Sequence, residues 1–260
     1  MKTAPSPFVT ATWLPFLAAA LAFLVAAPFS NAATLSTFSF TGATAGSTGP
    51  FAPESPDPGV SVSNLTGSNL GTRGVNSAFL AATDASVPAY TFDGRGYEIF
   101  AGEMTNQAVG PVGSTYNFSF TLTPTAGNQV LYTGLSIDFG TDFNAATGGT
   151  LALYDLFYSV NGGPLTQAGA TSSRGGTDNT HTVSNDVLKD LSAVAAFSSP
   201  IDTPVTFQLR FADTNSGLNT KAVFIDDIRV IGTVSTPEPG SALLVLSGAA
   251  LLIRRRRNVR

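Results

Sequence analysis

Thr115-Tyr116-Asn117-Phe118-Ser119-Phe120-Thr121-Leu122-Thr123 alternates without a break. Tyr116, Phe118, Phe120 and Leu122 fall on one side of an extended chain, and Thr115, Asn117, Ser119 and Thr121 on the other. Successive strand residues point to opposite faces, so this segment reads as a strand with one face on a core and one toward water. The pattern returns near the end of the chain, where Val205, Phe207, Leu209 and Phe211 alternate with Thr206, Gln208, Arg210 and Ala212. Shorter runs rich in Phe, Val, Ile, Tyr and Thr lie between, bounded by Gly, Asn, Asp, Ser and Pro. They predict strands at 36–41, 60–65, 78–82, 89–93, 97–101, 130–139, 151–160, 181–187 and 222–232, besides 115–123 and 203–213. Asn161-Gly162-Gly163 and Asp93-Gly94 read as hairpin turns. The spans 42–59 and 168–180 read as surface loops. The spacing of Leu188, Leu191, Val194 and Ala195 predicts a helical turn over 187–197. Many antiparallel strands without βα alternation predict an all-β, antiparallel two-sheet sandwich.

The chain has 260 residues, 43% hydrophobic and 12% charged, with 26 Gly, 16 Pro and no Cys. Without cysteine there is no thiol nucleophile, no Cys-zinc site and no disulfide staple. The two ends differ from the middle and divide the chain into 1–32, 33–236 and 237–260. Six of the 13 basic residues (Lys2, Arg254, Arg255, Arg256, Arg257, Arg260) and one of the 17 acidic ones (Glu238) lie in those ends. The middle therefore keeps 7 basic and 16 acidic side chains, a formal net of −9, and such a body repels phosphate backbones. Nucleic acid is not an expected partner.

At the start, Lys2 precedes an apolar run from Trp13 to Ala27, then Pro28-Phe29-Ser30-Asn31-Ala32-Ala33. A basic start, an apolar stretch and small residues before a scissile bond describe a secretory signal peptide, with signal peptidase expected to cut between Ala32 and Ala33. The competing reading, a buried N-terminal helix, is interrupted by Pro15 and Pro28. At the other end, Pro237-Glu238-Pro239 cannot continue a strand or helix and presents an accessible segment. The run Gly240–Ile253 favours helix and lipid, and Arg254, Arg255, Arg256 and Arg257 form a stop-transfer cluster that stays cytoplasmic. Fourteen helical residues rise roughly 21 Å against a hydrocarbon core of about 30 Å, so this short apolar helix is a scant span.

The segment PEPGSALLVLSGAALLIRRRR resembles a PEP-CTERM sorting signal, the tail recognised by exosortase in Gram-negative bacteria. The resemblance covers less than a tenth of the chain. It implies cutting near Pro237-Glu238-Pro239 by a membrane-embedded enzyme, membrane contact through the tail before processing, and delivery to the cell surface or beyond, in association with exopolysaccharide. In the second half of the body, TYNFSFTLTP, VLYTGLSIDF, LFYSVNGGPL, TFQLRFAD and VFIDDIRVIG resemble jelly-roll modules of the galactose-binding and carbohydrate-binding type. That resemblance implies a glycan or adhesive role, often around a structural calcium.

The pair Asp226-Asp227 is the most informative polar spot. Alternation places Asp226 with Phe224, Ile228 and Val230, where an unpaired carboxylate is costly. The jelly-roll resemblance makes Asp226 the candidate calcium ligand. Calcium takes about six to eight oxygens, so partners are needed, and Asp57 and Glu54 are candidates. A hydrogen-bonded core or edge carboxylate is the other reading of Asp226. His181 is the lone histidine and cannot make a two-histidine metal site. No Gly-x-Ser-x-Gly segment offers a nucleophile elbow. Asp138, Asp142, Asp155, Glu98 and Glu103 are numerous enough for a two-carboxylate glycosidase or lyase, but any acidic domain has such pairs. Asp93-Gly94-Arg95-Gly96 reads as a turn and not as a phosphate cradle. The lone tryptophan, Trp13, leaves with the leader. Of Tyr90, Tyr97, Tyr116, Tyr132, Tyr154 and Tyr158, several are expected in the core. The sequence thus predicts an exported, non-enzymatic surface or matrix protein with a structural or adhesive role in extracellular polysaccharide; the alternatives are a glycan-specific binding module and a secreted two-carboxylate glycosidase or lyase.

Overall fold

The computed structural model describes residues 32–40, 43, 47–68, 74–76, 96–100, 111–141, 151–174, 182–214 and 222–236. They form twelve strands: β1 (Ala33–Phe38), β2 (Val60–Val62), β3 (Thr66–Ser68), β4 (Gly74–Asn76), β5 (Gly96–Phe100), β6 (Tyr116–Pro124), β7 (Gln129–Thr141), β8 (Ala152–Val160), β9 (Thr166–Arg174), β10 (Thr182–Asp190), β11 (Val205–Asp213) and β12 (Ala222–Ser235). They pair into two six-stranded antiparallel sheets. The first runs β10-β7-β12-β5-β4 with β1 also on β12, and the second runs β2-β6-β11-β8-β9 with β3 also on β6. Within these, β5-β12-β7-β10 faces β6-β11-β8-β9, and the chain changes sheet at every step from β5 to β12 except the β8–β9 hairpin. Eight strands so ordered make a jelly roll. Asn31–Thr236 forms one compact unit.

The alternation read from the sequence sets the core. Phe118, Phe120 and Leu122 of β6 and Val205, Phe207, Leu209 and Phe211 of β11 are all buried. Rings from the two sheets interlock: Phe38 meets Phe120 at 5.0 Å between centroids, Tyr132 meets Phe207 at 5.5 Å, and Phe139 meets Tyr154 at 5.9 Å. Such offset and edge contacts favour one arrangement over a slipped one. The β8–β9 hairpin turns at Asn161 (φ 50°) and Gly162 (φ 70°), with the Gly163 amide donating to the Val160 carbonyl at 3.0 Å. This is the turn expected from Asn-Gly-Gly, whose left-handed pair matches strand twist.

Several expectations are corrected. The span 168–180 is not a loop throughout: Thr166–Arg174 is the edge strand β9, whose Gly, Ala, Ser and Thr carry no apolar signal. The helical turn over 187–197 is instead the end of β10 followed by a short 3₁₀ turn, Ala195–Phe197. Leu188 is exposed while Leu191 is fully buried, so the spacing did not mark one helix face. The described residues of 42–59 form no strand or helix, as expected of a loop, and Phe51 anchors them by meeting Phe40 edge-on at 4.9 Å. Strands β3 and β4 were not expected. The expected strands at 78–82 and 89–93, the turn at Asp93-Gly94, and both chain ends, 1–31 and 237–260, lie outside the described residues. Among the described residues no helix is long and apolar enough to cross a membrane.

Phe207 touches Phe120, Tyr132 and Phe197. Truncation to alanine removes the centre of this cluster, so Phe207→Ala should lower unfolding free energy by about 3–5 kcal/mol in denaturant titration. The same measurement on Leu188→Ala, at an exposed edge position, should stay within about 0.5 kcal/mol of the parent.

Candidate functional site

Three polar places stand out on this scaffold. The first is where Asp226 was expected to matter. Strand β12 carries a register shift between Asp226 and Arg229, with Asp227 at φ 45°. A bulge inserts one residue and flips the alternation beyond it. Val223 and Ile225 before it, and Ile228 and Val230 after it, all join the central core. Asp226 therefore does not share a face with Ile228 and Val230, as a strict period of two implied; it is buried on the opposite face with Phe224. The bulge also marks a change of partner: along one side of β12, β5 pairs through Ile225 and β1 from Ile228 onward. Directly opposite Asp226 on β7 stands Asp138, also buried. Sequence patterning gave no reason to link the two, because strand pairing sets them side by side. The Asp226 carboxylate accepts the Asp227 amide at 2.9 Å, and Arg229 binds the Asp227 carboxylate.

The other proposed ligands are engaged locally. Glu54 accepts the Ser39 hydroxyl at 2.5 Å, and Asp57 accepts the Gly59 amide at 2.7 Å. Among the described residues no three His, Asp or Glu side chains converge as a metal cluster. Asp142, Glu103 and His181 lie outside the described residues. Glu98 is a β5 residue facing Gly74 and Phe224 in the pairing.

The second place is Asp155, fully buried in β8. Its Oδ2 accepts the Val112 amide at 2.8 Å and the Thr171 hydroxyl at 3.0 Å, while the Lys189 ammonium lies 3.9 Å from Oδ1. Lys189 comes from β10, the edge of the first sheet, and reaches β9, the edge of the second. Its ammonium donates to the Ala170 carbonyl at 2.5 Å and sits 4.9 Å from the Tyr154 ring centre. A β9 register shift beside Gly169 (φ 74°) falls opposite Asp155 and opens the strand there. Burial lowers the Lys189 ammonium from its ordinary range, and the Asp155 charge opposes that shift. Burial, helped by Asp155, pushes the Tyr154 phenol well up. Asp155 was expected only as one of several possible catalytic acids; its surroundings make it a clasp between sheets. Lys189 carried no sequence signal at all.

The third place is the outer face of the second sheet, opposite the core residues of β6, β8 and β11. Pairing aligns Thr66 of β3, Ser119 of β6, Gln208 of β11, Phe157 of β8 and Gln167 of β9 into one row across five strands. Strands lie about 4.8 Å apart, so the row offers a polar group at each step except β8, where Phe157 is buried. A parallel row holds Thr121, Thr206 and Ser159, and the two threonine hydroxyls are 2.8 Å apart. Arg210 lies over Phe157 at 3.7 Å from the ring centre, with its Nε donating to Gln208 at 2.6 Å. Tyr132 and Tyr154 are buried, and Tyr116 and Tyr158 pack against the core, so none of these four makes an outer platform. The side chain of Tyr97 and all of Tyr90 lie outside the described residues.

No protein-family model matches the chain, and no curated protein matches it in sequence. Among solved structures, the chain is similar to a CBM28 carbohydrate-binding module specific for non-crystalline cellulose, at 12% identity and a TM-score of 0.33, covering 60% of this chain and 86% of that one. It is also similar to the CBM22-1 xylan-binding domain from Paenibacillus barcinonensis Xyn10C, at 11% identity and a TM-score of 0.33, covering 77% and 94%. The jelly-roll assignment itself rests on this chain's own strand order.

Proposed function

We propose that this chain is an exported, non-enzymatic protein of the bacterial cell surface or matrix that touches extracellular polysaccharide through the outer face of its second sheet. In this reading signal peptidase removes 1–32, exosortase processes the tail at Pro237-Glu238-Pro239, and the Arg254–Arg257 cluster holds the short apolar segment at the inner membrane until then. The observation that carries the polysaccharide contact is the row Thr66–Ser119–Gln208–Phe157–Gln167. Hydroxyls and amides suit a neutral, hydroxyl-rich polymer, and the acidic body disfavours a polyanion. The compact unit Asn31–Thr236 supports the division of the chain. A two-carboxylate hydrolase is less well supported, because Asp155 is buried under its own partners and Asp138 and Asp226 lie side by side in one sheet, not across a cleft.

Calcium at Asp226 belongs to the same proposal. Two buried carboxylates in register, Asp138 and Asp226, repel each other unless positive charge or protons intervene. A calcium ion there would take both and fill its shell from backbone and water oxygens. If so, chelation should lower the melting temperature of the parent chain and leave Asp226→Asn unmoved; equal melting with and without chelator in the parent removes calcium from the reading.

Two further outcomes test the main claim. Protein recovered from the cell surface should yield peptides up to Thr236 and none from Gly240 onward, whereas an intact arginine-bearing C-terminus would defeat the processing claim. On polysaccharide from the producing cells, the double variant Gln167→Ala/Gln208→Ala should bind about tenfold more weakly, the loss of roughly 1.4 kcal/mol in two exchanged hydrogen bonds. Unchanged binding by that variant, with the fold intact, places the contact elsewhere.

A further inference from the structure

The clasp at the open side of the sandwich has more in it than an ion pair needs. Lys189 and Asp155 are 5% and 0% exposed, and they come from different sheets. The two oxygens of Asp155 differ. Oδ2 holds the Val112 amide and the Thr171 hydroxyl, while Oδ1 is buried without a hydrogen-bond partner and lies 3.9 Å from the Lys189 nitrogen. The amine is itself aimed, through its hydrogen bond to the Ala170 carbonyl. Beneath it, Tyr154 is stacked on Phe211 at 5.7 Å, so one wall of the pair is aromatic.

We propose that Lys189 and Asp155 condense into an intramolecular amide, a covalent cross-link between the two sheets. The chemistry follows from the donors on the page. The reaction starts with one ammonium proton passing across the pair to Oδ1, so that an amine faces an acid. The Lys189 nitrogen attacks the Asp155 carboxyl carbon. Negative charge develops on Oδ2, where the Val112 amide and Thr171 hydroxyl already point, and Arg210, which pairs with Asp155 across β11 and β8, adds positive charge. Donors fixed in advance where charge develops are the arrangement that stabilises such an intermediate. A second amine proton moves to the hydroxyl on Oδ1, the carbon–oxygen bond breaks, and one water leaves. The products are an amide and water, with no oxidant or co-reactant. Burial that lowers the amine's basicity favours the attacking form, and holding the two groups together in the folded chain replaces a bimolecular encounter. The proposal stands on the clasp alone, whatever the protein does at the surface.

The purified full chain, digested with trypsin after denaturation, decides it. Trypsin cuts after Arg95, Arg174, Lys189 and Arg210 but not after an acylated lysine. The expected product is a branched peptide joining 96–174 to 175–210, uncut at Lys189 and lighter than the sum of its parts by one water. Lys189→Arg, which keeps the charge but has no condensing amine, should give separate peptides of full sequence mass. Asp155→Asn should give the same branch as the parent with ammonia lost in place of water, if it folds. Recovery of linear 96–174 and 175–189 in full from the folded parent chain would overturn the cross-link and leave an ion pair.

Discussion

Everything in this molecule hangs on pressing two apolar sheet faces together without a covalent staple from cysteine. The chain has no Cys, so the sandwich depends on interlocked side chains, and it uses rings for the purpose. Phe120, Phe207, Tyr132 and Phe197 form one cluster, and Phe139, Tyr154 and Phe211 another. Large flat groups bury much apolar area each, and their contacts are directional, so they resist a slip of register as well as separation. A one-residue slip of β6 or β11 would carry Phe118, Phe120, Phe207 and Phe211 to the water face and Thr121 and Thr206 into the core. That asymmetry sets the outer face as firmly as the inner one, because the polar row of the second sheet is the complement of the aromatic one.

Where a strand ran without a register shift, the sequence was readable. β6 and β11 kept strict alternation over their length, and the residues expected inside are inside. β12 was not readable past its middle, and the cause is physical. It pairs with β5 and then β1 along one side, and it accommodates the change with a bulge at Asp226-Asp227. A bulge is a backbone event that one extra residue creates, and nothing in VFIDDIRVIG distinguishes it from continued alternation except that Asp tolerates positive φ better than its neighbours. The face assignment of Asp226 failed for that reason. β9 failed for a different one: an edge strand with little core contact needs no apolar side chains, so TQAGATSSR carries turn-like composition while pairing with β8.

The polar sites were less legible than the core, since each is made by distant segments. Asp138 and Asp226 meet through pairing of β7 with β12, and Asp155 draws partners from 112, 171 and 189. Charge counting could show that acids were plentiful, but only tertiary structure says that Asp155 lies beneath two donors and a lysine while Glu54 caps a nearby serine. The unassigned Lys189 is instructive. A lone lysine in an acidic edge strand looks like a solubilising charge, yet the opening beside Gly169 in β9 lets it turn inward to the second sheet.

The polar row on the outer face is already satisfied by the protein. Thr121 shares a hydrogen bond with Thr206, Gln208 with Asn117 and Arg210, and Thr66 with the Ser119 carbonyl. A sugar arriving there exchanges bonds instead of adding them, and exchange contributes far less than a bond made to an unsatisfied buried group. Phe157 adds little stacking surface because Arg210 covers it. Contact with a polymer under the proposed reading is therefore weak per sugar, and its strength must come from repetition along the polysaccharide and from many copies of the protein held at one surface. A chain used that way gains more from durability than from affinity. That makes the open side of the sandwich, where edge strands β9 and β10 face each other across the Lys189–Asp155 clasp, the place where extra strength counts most.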